Sequence, residues 1–208
     1  MAVRVVIAED EAIVRLDLKE IMQEEGYEVV GETGRGDEAV ELVRAQRPDL
    51  AILDIKMPGT DGLTAAREIS AERLCAVLIL TAFSQRDLIE QARNAGALAY
   101  LVKPFQKSEL LPAIEMAIGR FAEMKALDEQ VKSLEESLEV RKAIDRAKGI
   151  LMDELGWKES ESFNWIRSQA MHERVRMLDV ANQIIGGLRP TERPRSPRMP
   201  SSTGAKPA

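Results

Sequence analysis

Several side chains that could act on a phosphoryl group follow directly on short apolar segments of this 208-residue sequence. They are two adjacent acids, a third acid, a hydroxyl and an ammonium group: Glu9, Asp10, Asp54, Thr81 and Lys103. Two unit charges about 4 Å apart repel by roughly 4 kcal/mol at an effective dielectric of about 20, so converging carboxylates call for a cation. Oxygen ligands in a half-open site favour Mg²⁺.

Together these side chains are suited to phosphoryl transfer with Asp54 as the nucleophile. The metal and Lys103 would neutralise phosphoryl oxygens, and the Thr81 hydroxyl would donate a hydrogen bond to the transferred group. Each residue alone is equally consistent with a surface acid or base at the start of a loop. The prediction depends on all five residues ending the appropriate strands.

The apolar segments are predicted to be the strands of one parallel sheet. They cover residues 3–8, 27–32, 50–53, 76–80 and 99–102. Helical periodicity fills the intervals: one helix stops at Gly26, two cover 36–46 and 63–70, one runs from an N-cap at Ser84 to Gly96, and one follows Ser108. This alternation predicts an α/β fold with a doubly wound, five-stranded parallel sheet. In the order 2-1-3-4-5, the first and third strands are neighbours, which brings their acids together.

A narrow apolar stripe continues beyond the last helix of that domain. Its members recur at alternating spacings of three and four: Ala117, Arg120, Met124, Leu127, Val131, Leu134 and Leu138. Such a heptad pattern favours a coiled coil with a second copy of the chain, and Arg120 makes it imperfect. The alternative is a long amphipathic helix that packs on its own domain.

The remainder of the chain is predicted to be a small all-α bundle and a tail. Helices are expected over 143–155, 160–171 and 175–185. The predicted boundaries are a domain over 1–118, a coiled-coil linker helix over 119–139, a three-helix bundle over 140–188 and a tail over 189–208. The tail is basic and rich in proline, so we expect it to be disordered.

The amino-acid composition indicates in which compartment the protein works and which classes of partner it binds. The net charge of -6 is concentrated in the first domain, which disfavours that domain as a nucleic-acid surface. The single cysteine, Cys75, fits a reducing compartment and is expected to be a small core residue. No apolar run approaches the roughly 20 residues of a membrane span, and the N-terminus has no signal-peptide layout. We therefore expect a cytoplasmic protein without a membrane partner.

The first domain resembles the receiver domain of two-component response regulators. The residues that carry the resemblance are Glu9-Asp10, Asp54 within Leu53-Asp54-Ile55-Lys56-Met57-Pro58-Gly59, Thr81-Ala82, Tyr100 and Lys103-Pro104-Phe105. The resemblance implies that Asp54 accepts phosphate from a sensor histidine kinase. It also implies that Tyr100 rotates inward when Thr81 moves toward the phosphoryl group.

The same resemblance implies a ligand set for Mg²⁺. Asp10, Asp54 and the backbone carbonyl of Lys56 would bind the ion directly, and Glu9 would act through a water molecule. Receiver domains often have Asp at the position of Glu9, which is a departure in this chain. The peptide bond between Lys103 and Pro104 is commonly cis in this family.

Three segments of the bundle resemble the ANTAR domain, an RNA-binding antitermination module. They are 143–152, 161–170 and 177–185, and Ser162 and Ile166 stand where that family usually has Ala and Leu. The resemblance implies a non-enzymatic regulator that binds stem-loops of target transcripts as a dimer, with the transcription machinery as a further partner. The candidates for RNA contact are three basic residues: Arg146, Lys148 and Arg167.

Three other functions compete with an RNA-binding regulator. A DNA-binding transcription regulator would need a tight helix-turn-helix with a basic recognition helix, which 140–188 does not show. In a protein-interaction module, the basic residues of the bundle would only be solvated. An aspartyl-phosphate hydrolase would need a second acid two residues after Asp54, where Lys56 stands. Comparing the binding of stem-loop RNA and duplex DNA separates the first two alternatives from the RNA hypothesis.

Overall fold

The computed structural model describes residues 2–82 and 86–190, and the chain divides into two units, residues 1–128 and 129–208. Each unit has its own hydrophobic core. The predicted N-cap at Ser84 and the predicted tail beyond Pro190 lie outside the described residues.

The first unit contains a five-stranded parallel sheet in the order β2-β1-β3-β4-β5. Its strands are β1 (Arg4–Ala8), β2 (Glu28–Thr33), β3 (Leu50–Asp54), β4 (Ala76–Thr81) and β5 (Ala99–Val102). The predicted fold class and strand order are confirmed. The strand bounds differ from the predicted ones by about a residue, which is the usual uncertainty at the end of an element.

Helices cover both faces of this sheet, so β3 and β4 are buried along their whole length. The helices are α1 (Ala12–Glu24), α2 (Gly36–Gln46), α3 (Gly62–Ala71), α4 (Arg86–Asn94) and the beginning of α5 (Lys107–Leu155). Because side chains alternate along a strand, Val6 packs with α2 and α3 on one face. Its neighbour Ile7 packs with α1 and α5 on the other.

The only cysteine of the chain, Cys75, lies just before β4 in the core beside α3. Its side chain is 2% exposed, and burial raises the pKa of the thiol to about 12. The thiol is therefore a protonated core group at neutral pH, as expected for an inert cysteine.

Helix α5 is continuous over 49 residues, from Lys107 to Leu155. The prediction of a separate first bundle helix over 143–155 is therefore wrong, because this segment is the end of α5. Pro112, in the second turn, removes one backbone donor of the helix, and the helix continues past it without a further proline. Most of the predicted stripe is exposed: Leu127 (61%), Val131 (53%), Leu134 (70%) and Leu138 (52%).

The second unit packs the end of α5 with α6 (Glu159–Glu173) and α7 (Met177–Ile185). Ala147, Leu151, Ile166 and Val180 are fully buried in its core. The rings of Trp157 and Trp165 lie 6.3 Å apart at a tilt of 58°, and both pack against this core.

The bundle continues slightly beyond its predicted end at residue 188. The Arg189 guanidinium pairs with Glu154 of α5 and donates to the carbonyl oxygen of Ile184 at 2.7 Å. Among the described helices of both units, none combines the length and apolar character that crossing a membrane requires.

Candidate functional site

The structure brings three carboxylates together at the carboxyl edge of the sheet. Glu9 and Asp10 follow β1, and Asp54 ends the adjacent strand β3. One oxygen from each side chain lies within 4.8 Å of the others. Glu9 is completely buried and Asp54 is 5% exposed, whereas Asp10 is exposed to solvent.

Lys103 places a positive charge between two of these acids. Its ammonium nitrogen lies 2.8 Å from Asp54 Oδ1 and 2.6 Å from Glu9 Oε2. The lysine is held at the end of β5, where its backbone amide donates to the carbonyl oxygen of Thr81 at 2.8 Å. The following peptide bond to Pro104 is cis, as the resemblance implies.

Burial and pairing have opposite effects on the charges of Lys103 and Glu9. Burial by itself would lower the pKa of Lys103, but the hydrogen bonds and charges of Asp54 and Glu9 outweigh it and raise that pKa. Burial raises the pKa of Glu9 above its ordinary value of 4.5, although Lys103 acts in the opposite direction. The lysine is thus firmly charged, while Glu9 carries its charge at an energetic cost.

The backbone around Asp54 fixes the direction of its carboxylate. Oδ2 accepts a hydrogen bond from the Lys56 amide at 2.9 Å. The loop after β3 then returns close to the strand, and the Gly62 amide donates to the carbonyl oxygen of Ile55 at 2.9 Å. A Cβ atom at Gly62 would collide with the carbonyl oxygen of Asp54. Glycine at this position therefore permits the tight loop that leaves Asp54 facing a cleft.

That cleft has a volume of about 180 Å³. It is lined by Asp10, Glu11, Asp54, Ile55, Lys56, Thr81, Ala82 and Lys103. The structure therefore places the predicted nucleophile, hydroxyl, ammonium group and two of the metal ligands around one space. Tyr100 is not among the residues that line this space, and its side chain is 45% exposed.

The donor set fits a hard divalent cation. Glu9 Oε1 accepts a hydrogen bond from the Glu11 amide at 3.3 Å. The buried Glu9 Oε2 is paired with the Lys103 ammonium at 2.6 Å. The cluster holds three carboxylates, of which Lys103 pairs with two, so a hydrated divalent cation would offset the remaining negative charge.

Arg15 is a contributor to this edge that the sequence patterns did not indicate. Its guanidinium donates to the carbonyl oxygen of Glu9 and lies beside Gly34. Arg15 is on α1, and nothing in the helical spacing of that segment distinguishes it from other exposed charges. Only the folded chain shows that it supports the backbone that presents the acidic pair.

The three basic candidates in the second unit have different environments. Arg146 and Arg167 are exposed, on α5 and α6 respectively. Lys148 is only 14% exposed, and its ammonium lies 2.7 Å from Asp145 and 2.8 Å from Glu159. Positions 146 and 148 are separated by about 200° around the helix axis, so these two side chains lie on different faces.

Comparison with protein families identifies both units. The model of the response regulator receiver domain matches residues 5–115, and that of the ANTAR domain matches residues 132–185. The chain belongs to the response regulators that carry an ANTAR domain. Both predicted resemblances are confirmed.

Similarity to one regulator of this family extends over most of the chain. The transcriptional regulatory protein PdtaR of Mycobacterium tuberculosis is 54% identical over 185 residues, which is 89% of this chain and 90% of that protein. The chain is thus a homologue of a transcriptional regulator.

Solved structures of receiver domains match the first unit. The signal receiver domain of the response regulator NarL from Mycobacterium tuberculosis is 31% identical and gives a TM-score of 0.55 over 57% of this chain and 97% of that one. CheY in the CheX–CheY–BeF3–Mg²⁺ complex from Borrelia burgdorferi is 25% identical, with a TM-score of 0.52 over 54% and 86% of the two chains.

The raised pKa of Glu9 predicts how stability depends on pH without divalent cations. An acid whose pKa is raised by folding stabilises the folded state below its ordinary pKa, here 4.5, and this contribution is lost as the pH rises through the folded-state value. The contribution of Glu9 to the free energy of unfolding of the first unit should therefore fall from acid toward neutral pH, and Glu9→Gln should remove that fall. Urea titrations followed by circular dichroism in chelator measure the effect.

The exposed glutamate Glu20 provides a control, because Glu20→Gln should leave the pH dependence of the wild type. Fluorescence of the two tryptophans, which both lie in the second unit, monitors that unit separately. An unchanged pH dependence in the Glu9→Gln variant would show that Glu9 is not destabilised by its burial.

Proposed function

We propose that this protein is a phosphorylation-controlled regulator that binds RNA stem-loops as a dimer and acts as a transcription antiterminator. Asp54 accepts a phosphoryl group from a sensor histidine kinase, and the ANTAR unit makes the RNA contacts. The observation that carries the proposal is the pairing of Asp54 with Lys103, next to two further acids, in a chain that continues into an ANTAR domain.

Phosphoryl transfer follows from the arrangement of the cleft. An oxygen of Asp54 attacks phosphorus, the bond from phosphorus to the histidine nitrogen of the kinase breaks, and an acyl phosphate forms. Lys103, already charged and 2.8 Å from Asp54, balances the negative charge of the phosphoryl oxygens. Thr81, buried in the cleft wall, can donate its hydroxyl hydrogen to one of them.

Mg²⁺ is the cofactor that the acidic cluster supports. Asp10, Asp54 and the backbone carbonyl of Lys56 would hold the ion directly, and Glu9 through water. The ion would neutralise phosphoryl oxygens and relieve the repulsion among the carboxylates. The similar CheY structure contains both Mg²⁺ and BeF3, which supports a phosphoryl site of this kind.

Tyr100 provides a route from the cleft to the surface. It lies on β5, whose neighbour β4 ends in Thr81, and its ring is partly exposed. Movement of Thr81 toward a phosphoryl group would vacate space into which Tyr100 can rotate, which changes the surface that β5 presents. This rotation couples a charge in the cleft to a partner-binding surface.

In the second unit, exposed cations would contact the phosphates of the RNA, and other side chains would contact its unpaired bases. Arg146 and Arg167 are suited to phosphate contact because they are exposed. Lys148 already pairs with Asp145 and Glu159, which raises its pKa and lowers that of Asp145. We therefore assign Lys148 mainly to holding α5 against the start of α6.

Dimerisation would bury the exposed stripe of α5. Val131, Leu134 and Leu138 are each more than half exposed and keep the heptad spacing. A second copy of the same helix offers a matching stripe. Two RNA-binding units would then act on one transcript with greater combined affinity than either alone.

Substitution of the proposed nucleophile should abolish labelling. Asp54→Ala should accept no phosphate from radiolabelled acetyl phosphate or from a sensor kinase, because Glu9, the other acid beside Lys103, is completely buried and is not among the residues that line the cleft. Asp61→Asn is the matched control, since Asp61 caps α3 through the Thr64 amide and asparagine caps equally well. Full labelling of the Asp54→Ala protein would refute the assignment.

A charge placed in the stripe should prevent dimerisation. Leu134→Glu would force two carboxylates into the interface, whereas Ser133→Glu adds the same charge one position away from the stripe. Analytical ultracentrifugation with and without acetyl phosphate should show a dimer for the wild type and for Ser133→Glu, and a monomer for Leu134→Glu. A dimeric Leu134→Glu protein would place the interface elsewhere.

Charge reversal should separate RNA-contacting from structural cations. Arg146→Glu and Arg167→Glu should each weaken binding of a stem-loop RNA by about tenfold or more and reduce the salt dependence of binding. Arg67→Glu on α3 of the receiver unit should leave RNA affinity unchanged. Filter binding with stem-loop RNA and duplex DNA measures both; equal affinity for duplex DNA, or no effect of either reversal, would contradict the proposal.

A further inference from the structure

Helix α6 exposes an aromatic ring and an arginine on one flank. Phe163 is 39% exposed, Arg167 is exposed one turn later, and Met171 is 70% exposed after a further turn. The core of the bundle is contacted by a different row of the same helix: Ser162, Ile166 and Ala170. The flank formed by Phe163, Arg167 and Met171 is called the α6 flank below.

Phe163 is more exposed than Trp157 and Trp165, the two tryptophans of this unit. Trp157 is 7% exposed, and Trp165 packs against the core beside it. Phe163 lies two and three positions before Trp165 and Ile166, which belong to the core cluster, but it is left out of that cluster. The exposed part of its ring is therefore available to a ligand.

The neighbours of Phe163 indicate what kind of ligand would fit. Residues four apart on a helix have Cβ atoms about 5–6 Å apart, so the guanidinium of Arg167 can lie beside the ring. Asn164 and Ser168 are exposed immediately next to these residues and supply an amide and a hydroxyl. A nucleobase has a flat face that can stack on a ring or a guanidinium plane, and edges that can form hydrogen bonds. The α6 flank offers partners for both.

We propose that the α6 flank is a stacking platform for unpaired bases of an RNA loop. Phe163 and the plane of Arg167 would take the faces of the bases, and Asn164 and Ser168 would contact their edges. Met171 would extend the apolar surface. This proposal rests on the RNA-binding function proposed above and adds base stacking to the phosphate contact assigned there to the charge of Arg167.

A protein partner is the competing occupant, but its requirements are met less well. A protein-docking site of this size would be expected to present a contiguous apolar patch. The α6 flank instead has a cation between its two apolar side chains and polar side chains at its edge. Arg167 adds positive charge to this flank, which a polyanion would find favourable.

The test uses RNA and the full-length protein. Stem-loop RNAs are first selected by the wild-type protein from a library with a randomised loop, and 2-aminopurine is then placed at each loop position in turn. Stacking on an aromatic ring quenches 2-aminopurine fluorescence, so the wild type should quench it at one or two positions. Failure to select any stem-loop would overturn the proposed RNA-binding function itself.

Phe163→Leu keeps apolar bulk but removes the aromatic face, so quenching at one loop position should disappear and affinity should fall by about tenfold to hundredfold. Phe163→Tyr should retain the quenching, which separates stacking from packing. Arg167→Lys keeps the charge but loses the plane, so it should reduce quenching while leaving the salt dependence of binding unchanged. Met152→Ala, at a residue of α5 that is equally exposed at 39%, is the matched control and should behave as the wild type.

If selected RNAs bind Phe163→Leu with wild-type affinity and unchanged quenching, the α6 flank does not stack bases. If Phe163→Tyr loses binding as fully as Phe163→Leu, the residue acts through packing, and the stacking proposal is also wrong. Circular dichroism and tryptophan fluorescence of each variant establish that the bundle is folded.

Discussion

The ammonium group of Lys103, held between Glu9 and Asp54, is the interaction on which the receiver site depends. Without it, the edge of the sheet would collect acids that repel one another in a partly buried space. Glu9 is fully buried and Asp54 nearly so, and removal of one partner from a buried charge pair costs about 3–5 kcal/mol. The lysine thus stabilises the acidic cleft, and in the proposed function it would balance an incoming phosphoryl group. A phosphoryl group on Asp54 would compete for this lysine, so phosphorylation would alter the contacts of β5 as well as the charge of the cleft.

The parallel sheet makes this arrangement possible because all its strands end at one edge. β1 delivers two acids, β3 the third, β4 a hydroxyl and β5 the lysine. The tight approach of Gly62 to the Asp54 backbone and the hydrogen bond from the Lys56 amide then orient the central carboxylate. Helix α5 begins five residues after β5 and is continuous to residue 155, so it contributes residues to both units.

In the ANTAR unit, the core and the proposed recognition surface use different rows of the same helix. The core row of α6 is small or branched, and its exposed flank carries the ring of Phe163 and the cation of Arg167. Lys148 is already paired with two intramolecular acids, which makes it a weaker candidate for RNA contact than its charge alone suggests. Exposure and pairing, more than charge alone, distinguish Arg146 and Arg167 from Lys148.

Local sequence patterns were sufficient for the strands, their parallel order and the convergence of Glu9, Asp10, Asp54, Thr81 and Lys103. The periodicity of the apolar residues and their side-chain types indicate which positions are buried. Only a few topologies are available to a sheet of parallel strands. Other features required the folded chain because they depend on how separate strands, helices and loops come together. The exposure of Tyr100, the capture of Lys148 by Glu159 and the support of Glu9 by Arg15 are of this kind. The continuity of α5 was missed for a different reason: adjoining amphipathic segments with different buried faces look like separate helices, and only the backbone hydrogen bonds show that they are one.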